Sequence, residues 1–251
     1  MTSTRINTEC KTPLVSLIPI YDGLVAHPVA VVLFTRDLRV HDHPALRAAT
    51  LAAERVAPLF VADPRVPSSP NRQRFLAECL SDLRESLRAR GGDLIMRYGD
   101  PVTEAVALAR QVGATQIVVG ADVSRYATTR QRRLDEAARA ERLELTLVEG
   151  STVVPPGALR PSGGGDHYRV FTPYWRAWRA IPHRRPLPPP RHIRLPAGVP
   201  TGDVPEAGPG GSPNVLPAES RPRGGDWPAG GAESSTTPQP TTTLRLTGPH
   251  G

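Results

Sequence analysis

Cysteine is scarce in this chain of 251 residues, with Cys10 and Cys79 the only two. Two cysteines so far apart form no disulfide framework, and neither lies in a metal-ligand spacing. No run approaches the ~20 apolar residues that a membrane-spanning helix needs. The apolar stretch Leu14–Ile20 is interrupted by Pro19 and is followed by no small-residue cleavage site, which argues against a secretory signal. We therefore expect a cytoplasmic protein without membrane contact.

Lysine is almost absent as well, because Lys11 is the only one among the 31 basic residues. The formal net charge of +7 resides in residues 151–195, which hold eight arginines and one acidic residue. Such a stretch can neutralise phosphates. However, arginine is abundant together with alanine, proline and glycine, as GC-rich coding produces. The composition therefore favours a solvated surface over nucleic-acid binding and leaves both interpretations open.

Aromatic residues make up only 5% of the chain, and Trp227 is the single one between residues 186 and 251. The same stretch holds 15 prolines and 11 glycines. A segment of this composition buries too little apolar surface to offset the entropy of ordering it. We predict an irregular leader over 1–28, a folded unit that ends near Ile181, and a disordered Pro/Gly-rich tail over 186–251.

Residues 29–150 alternate apolar, strand-like runs with helical periodicity. Asp42 and Asp100 are predicted to cap the helices that follow the first and third strands. Strands that alternate with helices across short loops form a parallel sheet covered on both faces. We predict a doubly wound, Rossmann-like α/β domain over 29–150, followed over 151–185 by a segment that closes the domain and begins a linker. Its five predicted strands are Val29–Phe34, Val56–Val61, Asp93–Tyr98, Gln116–Val119 and Leu143–Val148.

Ligands of such sheets bind in the crevice beyond the carboxyl ends of the strands. Charged and small residues gather at those ends in this sequence. The candidate binding residues are Thr35, Arg36, Asp37, Leu38, Arg39, Asp63, Gly99, Asp100, Gly120 and Asp122. The sequence has no G-x-G-x-x-G turn after the first strand and no G-x-x-x-x-G-K loop. An ordinary dinucleotide dehydrogenase and a P-loop NTPase are therefore disfavoured.

Three segments carry a family pattern in order along the chain: Leu33–Leu46 (LFTRDLRVHDHPAL), Ala121–Gln131 (ADVSRYATTRQ) and Tyr168–Trp178 (YRVFTPYWRAW). Together they resemble the DNA photolyase and cryptochrome family. Within the first segment, His43 stands where asparagine is usual and Thr35 where arginine is commoner. The resemblance implies the family's N-terminal α/β domain, which holds an antenna chromophore, with the strand-end residues forming much of its crevice.

The resemblance implies a folate or a deazaflavin as that chromophore. Tyr126 and Ala127 stand where folate-binding relatives tend to carry Asn-Glu, so a deazaflavin is favoured over methenyltetrahydrofolate. The family's helical FAD-binding domain has no recognisable counterpart after Leu195. We therefore expect a light-harvesting domain truncated before the catalytic half, monomeric, without catalytic residues or FAD. Full-length relatives repair DNA in a light-dependent reaction, and we expect no such repair by this chain alone.

The candidate binding residues also have a structural interpretation. Arg36, Asp37 and Arg39 could order their turn by pairing with one another. Asp100 and Asp122 are more readily explained as helix-capping or loop residues than as ligand contacts.

Histidines and tryptophans receive a similar interpretation. We expect His41, His43 and His167 to be surface residues, and Trp175 and Trp178 to serve packing rather than electron transfer. The alternative function is a nucleotide-binding module resembling universal stress proteins. That module requires a Gly-x-x-Gly phosphate loop after the fourth strand, where this sequence offers a single glycine.

Overall fold

The computed structural model describes residues 27–161 and 164–205. Most of the predicted leader and the chain beyond residue 205 lie outside the described residues. Strands and helices alternate along the described part until the last helix. The strands are β1 (His27–Phe34), β2 (Ala53–Ala62), β3 (Ile95–Tyr98), β4 (Gln116–Gly120) and β5 (Glu144–Val148). The helices are α1 (Pro44–Ala52), α2 (Pro70–Arg88), α3 (Pro101–Gln111), α4 (Arg125–Ala140) and α5 (Phe171–Ala180).

The five strands form one parallel sheet in the order β3-β2-β1-β4-β5. The predicted doubly wound α/β fold is thereby confirmed. Strand β1 lies in the centre and is buried from Val29 to Phe34. Its continuous run of valine, alanine and leucine suits a strand that is covered on both faces.

The two faces of the sheet carry separate hydrophobic clusters, because successive side chains of a strand point to opposite sides. Val32 and Phe34 of β1 face α1 and α2, where Leu46 and Leu80 are fully buried. The alternate residues of β1 face α3 and α4, whose buried side chains include Leu108 and Leu134. Helices on opposite faces therefore follow β1 and β4, which are neighbours in the sheet.

Helix α1 begins one residue later than the capping prediction required. The prediction of Asp42 as the cap is wrong, because His43 Nδ1 accepts the hydrogen bond from the Leu46 amide at 2.9 Å. Asp42 instead adopts a left-handed φ of 48° and accepts a hydrogen bond from the Leu187 amide. The prediction for α3 is confirmed, since the Asp100 carboxylate accepts from the Val102 amide at 2.8 Å.

Residues 187–204, which we call the strap, pack against the sheet domain. The prediction of disorder from residue 186 onward is wrong for them. Ile193 is 2% exposed within the α1–α2 cluster, and the strap carbonyls of Arg194 and Thr201 accept hydrogen bonds from Val56 at 2.8 Å and Met96 at 2.7 Å. An extended proline-rich chain keeps its carbonyl acceptors, and N–H groups are open to them on the edge strand β3 and on β2 before its pairing with β3 begins.

Helix α5 buries none of its residues. Trp175 and Trp178, which we expected to serve packing, contact aromatic neighbours on and beside this helix rather than a buried core. Their rings stack on each other at a centroid distance of 5.3 Å and an angle of 11°, and Trp175 remains 41% exposed. No helix in the described part of the chain is both long enough and apolar enough to cross a membrane.

Candidate functional site

The chain leaves β1 and β4 toward opposite faces of the sheet, and we call the space between the loops that follow these strands the crevice. Such a switch point is where open α/β sheets bind ligands. The loops after β1 and β4 border this crevice directly, and the loops after β2 and β3 extend it toward one edge. All ten candidate residues of the sequence lie at these four carboxyl ends.

Arg36 and Asp122 join the two loops across the crevice. Arg36 Nη1 lies 2.8 Å from Asp122 Oδ2, and Asp122 Oδ1 also accepts a hydrogen bond from the Ser124 amide at 2.9 Å. Burial alone would raise the pKa of Asp122, but the hydrogen bonds from Ser124 and Arg36 lower it below its usual value. The Arg36 side chain is 68% exposed, whereas that of Asp122 is buried. The buried carboxylate thus holds a guanidinium at the surface of the crevice.

Asp37 stands beside this pair and over Gly120. Its Oδ2 lies 3.2 Å from His43 Nε2, a close contact that does not meet the geometry of a hydrogen bond. A Cβ atom placed on Gly120 would lie 3.8 Å from the same oxygen, so the glycine keeps this side of the carboxylate clear. Burial opposes ionisation of Asp37, but the contact with His43 and the nearby Arg39 outweigh it and lower the pKa.

The expectation of a surface position for His43 is wrong. The ring is 2% exposed and lies 4.7 Å, centroid to centroid, from the ring of Phe34. Its Nδ1 caps α1, so the neutral ring carries its proton on Nε2, the nitrogen nearest Asp37. His43 therefore has two roles, because it begins the helix and positions the carboxylate.

The other residues of the first loop shape the backbone. Arg39 donates hydrogen bonds to the carbonyls of His41 and Asp42, and Leu38 packs against the α1–α2 cluster. Thr35 is half-buried at the end of β1. The side chains of Arg36, Asp37 and Arg39 thus have different partners, while within the turn the Arg39 amide donates a hydrogen bond of 2.8 Å to the Asp37 carbonyl.

Four charged residues form a cluster at the ends of β2 and β3, which we call the Asp–Arg cluster: Asp63, Arg65, Asp100 and Arg133. Arg65 Nη2 lies 2.8 Å from Asp63, and its Nη1 lies 3.1 Å from Asp100. Arg133 reaches the same Asp100 oxygen at 2.6 Å. These arginines lower the pKa of both aspartates against the opposing effect of burial. Gly99 precedes Asp100 with a left-handed φ of 134°. Asp100 is thus both the cap of α3 and the centre of an ion-pair network.

Tyr126 of α4 extends this network toward the crevice. Its hydroxyl donates a hydrogen bond of 2.6 Å to Asp63 Oδ2. Burial and the Asp63 charge raise the pKa of Tyr126, whereas Arg130 and Arg65 act in the opposite direction. The ring of Tyr126 is half-exposed, and the Cζ of Arg130 lies 5.5 Å from its centroid. A flat, partly open aromatic surface therefore borders the ends of β2 and β4.

Helical spacing is the signal that could have revealed the contribution of α4. Tyr126, Arg130 and Arg133 are separated by four and three residues, which places them on one face of a helix. Sequence reasoning identified the strand ends and passed over this face. It also missed Arg65, which lies two residues after Asp63 and pairs with it.

A second exposed feature lies on α5, apart from the candidate residues. Phe171 stacks on Trp175 at 6.3 Å, and Trp178 lies 4.4 Å from His183. A shallow groove of about 350 Å³ runs beside the start of the helix. It is lined by Leu159, His167, Tyr168, Arg169, Val170, Phe171 and Tyr174. None of the ten candidate residues contributes to this groove.

Comparison with known proteins gives a consistent result. The sequence model of the family described as DNA photolyase matches residues 30–191. The deoxyribodipyrimidine photo-lyase of Streptomyces griseus is 45% identical over 183 residues, which are 71% of this chain and 40% of that protein. The chain thus spans about two fifths of the length of the curated relatives it matches.

Solved structures agree with the sequence relatives. A bacterial class III photolyase from Agrobacterium tumefaciens superposes with a TM-score of 0.66 at 28% identity, over 73% of this chain and 38% of that one. A cryptochrome from Synechocystis gives a TM-score of 0.62 at 25% identity, over 68% of this chain and 38% of that one. The comparisons lend no support to the universal-stress-protein alternative.

Proposed function

We propose, from the premise that this chain belongs to the DNA photolyase family, that its α/β domain binds an antenna chromophore in the crevice at the ends of β1, β2 and β4. Chromophore cofactors are bound throughout this family. When bound, such a group absorbs light and passes the excitation energy to a second centre. The observation that carries the proposal is the pairing of exposed Arg36 with buried Asp122 across the switch point of the sheet.

The residues present suit a flat ligand with an acidic group. Arg36 offers a planar guanidinium that can stack on a ring or pair with a carboxylate. Asp37 and Asp122 are acceptors for ligand N–H or O–H groups, and both stay ionised because their pKa values are lowered. Gly120 keeps the approach to Asp37 free of a side chain. The half-exposed ring of Tyr126 supplies an apolar wall.

A deazaflavin fits this crevice better than a folate in our proposal. The support comes from Tyr126 and Ala127, which occupy the positions where folate-binding relatives tend to carry Asn-Glu. The Tyr126 hydroxyl is already engaged with Asp63. A tricyclic ring can lie against Tyr126 without disturbing that hydrogen bond.

Fluorescence titration with an 8-hydroxy-5-deazaflavin and with methenyltetrahydrofolate tests the proposal. We expect saturable binding of the deazaflavin and weaker binding of the folate. Arg36→Gln should weaken deazaflavin binding by about 10- to 100-fold. This factor corresponds to the loss of one hydrogen bond to a charged group, which contributes ~1.5–3 kcal/mol. Arg55→Gln is the matched control, because Arg55 is exposed on β2 at the opposite end of the sheet. The absence of a saturable signal from either ligand would refute the proposal.

Repair of DNA is a separate part of the proposal. The family acts on DNA, but the larger part of the relatives' length has no counterpart in residues 1–251. We propose that these residues alone bind no FAD and do not repair cyclobutane dimers under illumination. Turnover in a light-dependent repair assay, or FAD that elutes with the protein in gel filtration, would contradict this part while leaving chromophore binding intact.

A further inference from the structure

Arg130 has a guanidinium that the described part of the chain leaves unpaired. Its Nε and Nη2 atoms are shielded from solvent, and neither has a hydrogen-bond acceptor within residues 27–161 and 164–205. The side chain as a whole is half-buried, but its N–H groups that are shielded from water and lack an acceptor cost free energy. Buried polar groups of native proteins almost always have acceptors, so an unpaired guanidinium indicates that one is supplied from elsewhere.

The position of Arg130 connects it with the crevice. It lies one helical turn after Tyr126 on the same face of α4, over the ring whose hydroxyl binds Asp63 at the end of β2. Arg133 on the next turn reaches Asp100 at the start of α3. Arg130 thus lies on α4 between Tyr126 and Arg133, which bind Asp63 and Asp100 of the Asp–Arg cluster, at the border of the proposed chromophore site.

The charges of this region do not balance. Arg65, Arg130 and Arg133 supply three positive charges, against two negative charges from Asp63 and Asp100. Both aspartates are already engaged, because Asp63 binds Arg65 and Tyr126, and Asp100 binds Arg65, Arg133 and the Val102 amide. One monoanionic group beside Arg130 would complete the balance and satisfy its free N–H groups.

We propose that Arg130 is the anchor for an acid group of the bound ligand, a phosphate ester or a carboxylate, whose flat ring lies against Tyr126. This inference rests on the proposed chromophore site and narrows its ligand to a deazaflavin whose side chain carries such an acid group. A planar guanidinium binds two oxygens of such a group at once, which a single point charge does not. Arg130 is therefore a specificity residue that distinguishes acidic from neutral flat ligands.

A pair of ligands that differ only in an acid group gives a direct test. Riboflavin and riboflavin 5′-phosphate share one fluorescent flat ring, and only the second has a phosphate. We expect the wild-type chain to bind the phosphate form at least ~10-fold more tightly, which corresponds to ~1.4 kcal/mol. Arg130→Gln should reduce that preference to less than ~3-fold. Arg132→Gln should leave it unchanged, because Arg132 is an exposed neighbour on the same helix and the charge change is identical.

The stability of the variants separates binding from a structural role. Arg130→Gln removes two shielded nitrogen atoms whose N–H groups have no acceptor within the described residues, so its melting temperature should equal or exceed that of the wild type. Arg133→Gln should melt lower, because it breaks an existing contact with Asp100. A lower melting temperature for Arg130→Gln, with an unchanged ligand preference, would show an internal partner and refute the inference.

A measurement without the flat ring distinguishes this inference from the proposed function. In a ¹⁵N NMR titration of arginine Nε–H groups, inorganic phosphate or acetate should shift the Arg130 signal saturably at constant ionic strength. The anion that saturates the shift at the lower concentration identifies the preferred acid group. A shift without flavin binding would retain the anion site and reject the chromophore. No shift, together with equal affinity for the two flavins, would reject the anion site whether or not a chromophore binds.

Discussion

Ile193 is a buried side chain of the strap, together with Pro190 and Pro196, and Ile193→Ala tests how much of the fold depends on the docking of this segment. Ile193 is 2% exposed and packs among the residues of the α1–α2 cluster. Its Cγ2 would lie only 3.0 Å from a Cβ placed on Gly92, so the two segments meet without spare room. The substitution removes the methyl groups that fill this contact and leaves a cavity at the seam.

The expected cost follows from burial. Replacement of a fully buried isoleucine by alanine costs ~2–5 kcal/mol, and the upper half applies where neighbours cannot collapse into the gap. Here one wall is the α2–β3 turn at Gly92, while the strap itself can shift. We therefore expect ~2–3 kcal/mol, a substantial fraction of the ~5–15 kcal/mol that stabilises a typical domain. Val66→Ala, at an exposed site, should stay within ~0.5 kcal/mol.

Native-state hydrogen exchange locates the effect. The amides of Met96 and Val56 donate to strap carbonyls, whereas that of Val32 lies in the central strand β1. In Ile193→Ala, the amides of Met96 and Val56 should exchange faster through local opening of the strap. The amide of Val32 should change only as much as the free energy of global unfolding does. Urea unfolding gives that global value.

A double-mutant cycle completes the test. Gly92→Ala crowds Ile193 and should cost ~1–3 kcal/mol alone. In the Ile193→Ala background the crowding is relieved, so the double variant should lose less than the sum of the single losses. Additive losses, or a loss below ~0.5 kcal/mol for Ile193→Ala with unchanged exchange at Met96, would refute the docking of the strap.

Three further predictions concern other parts of the domain. Burial opposes ionisation of Asp93, but hydrogen bonds from two arginines of α2 lower its pKa. Its contribution to stability is therefore present above the unfolded pKa of ~3.9 and is lost as the pH falls through the lower folded value. Asp93→Asn should reduce the fall in the free energy of unfolding between pH 6 and pH 2, measured by urea denaturation. His43→Ala should cost more than the ~1 kcal/mol of a lost cap because it also opens a cavity beside Phe34, and His43→Asn, which can still cap, should recover part of that loss in the same assay. Trp175→Ala should change the free energy of unfolding by less than ~0.5 kcal/mol, since α5 buries none of its residues; a larger loss in urea unfolding would mean that the exposed helix supports the domain.

The fold was predictable because the strands are continuous apolar runs and the breaks between them are short. The order of the strands, with β1 beside β4, is a finding of the structure, because right-handed crossovers alone do not determine which strands are neighbours. The strap was not predictable from composition, since prolines and glycines make up seven of its 18 residues and its hydrogen bonds use mostly its backbone carbonyls. Amino-acid composition describes side chains and contains no information on hydrogen bonds accepted by backbone carbonyls.

The sequence predicts that the site lies at the strand ends, but it does not predict which side chains pair with one another there. Arg36 and Asp122 are 86 residues apart in the chain, and only the placement of β4 beside β1 brings them to 2.8 Å. The burial of His43 depends on Phe34 lying below it, which a surface-like histidine-rich loop does not reveal. Arg130 escaped notice because arginine is so common in this chain that no single one stands out in the sequence.

The strap also determines when the domain can finish folding. The Met96 amide of the edge strand β3 donates a hydrogen bond to the Thr201 carbonyl. During synthesis, this contact can form only after the ribosome has added more than a hundred further residues. Contacts between residues so distant in sequence slow folding, because a long loop must close before they form. Until then the outer N–H groups of β3 are open to strands of other chains. The family match ends at residue 191, and a fragment cut there would keep the sheet but remain permanently at this unfinished, aggregation-prone stage.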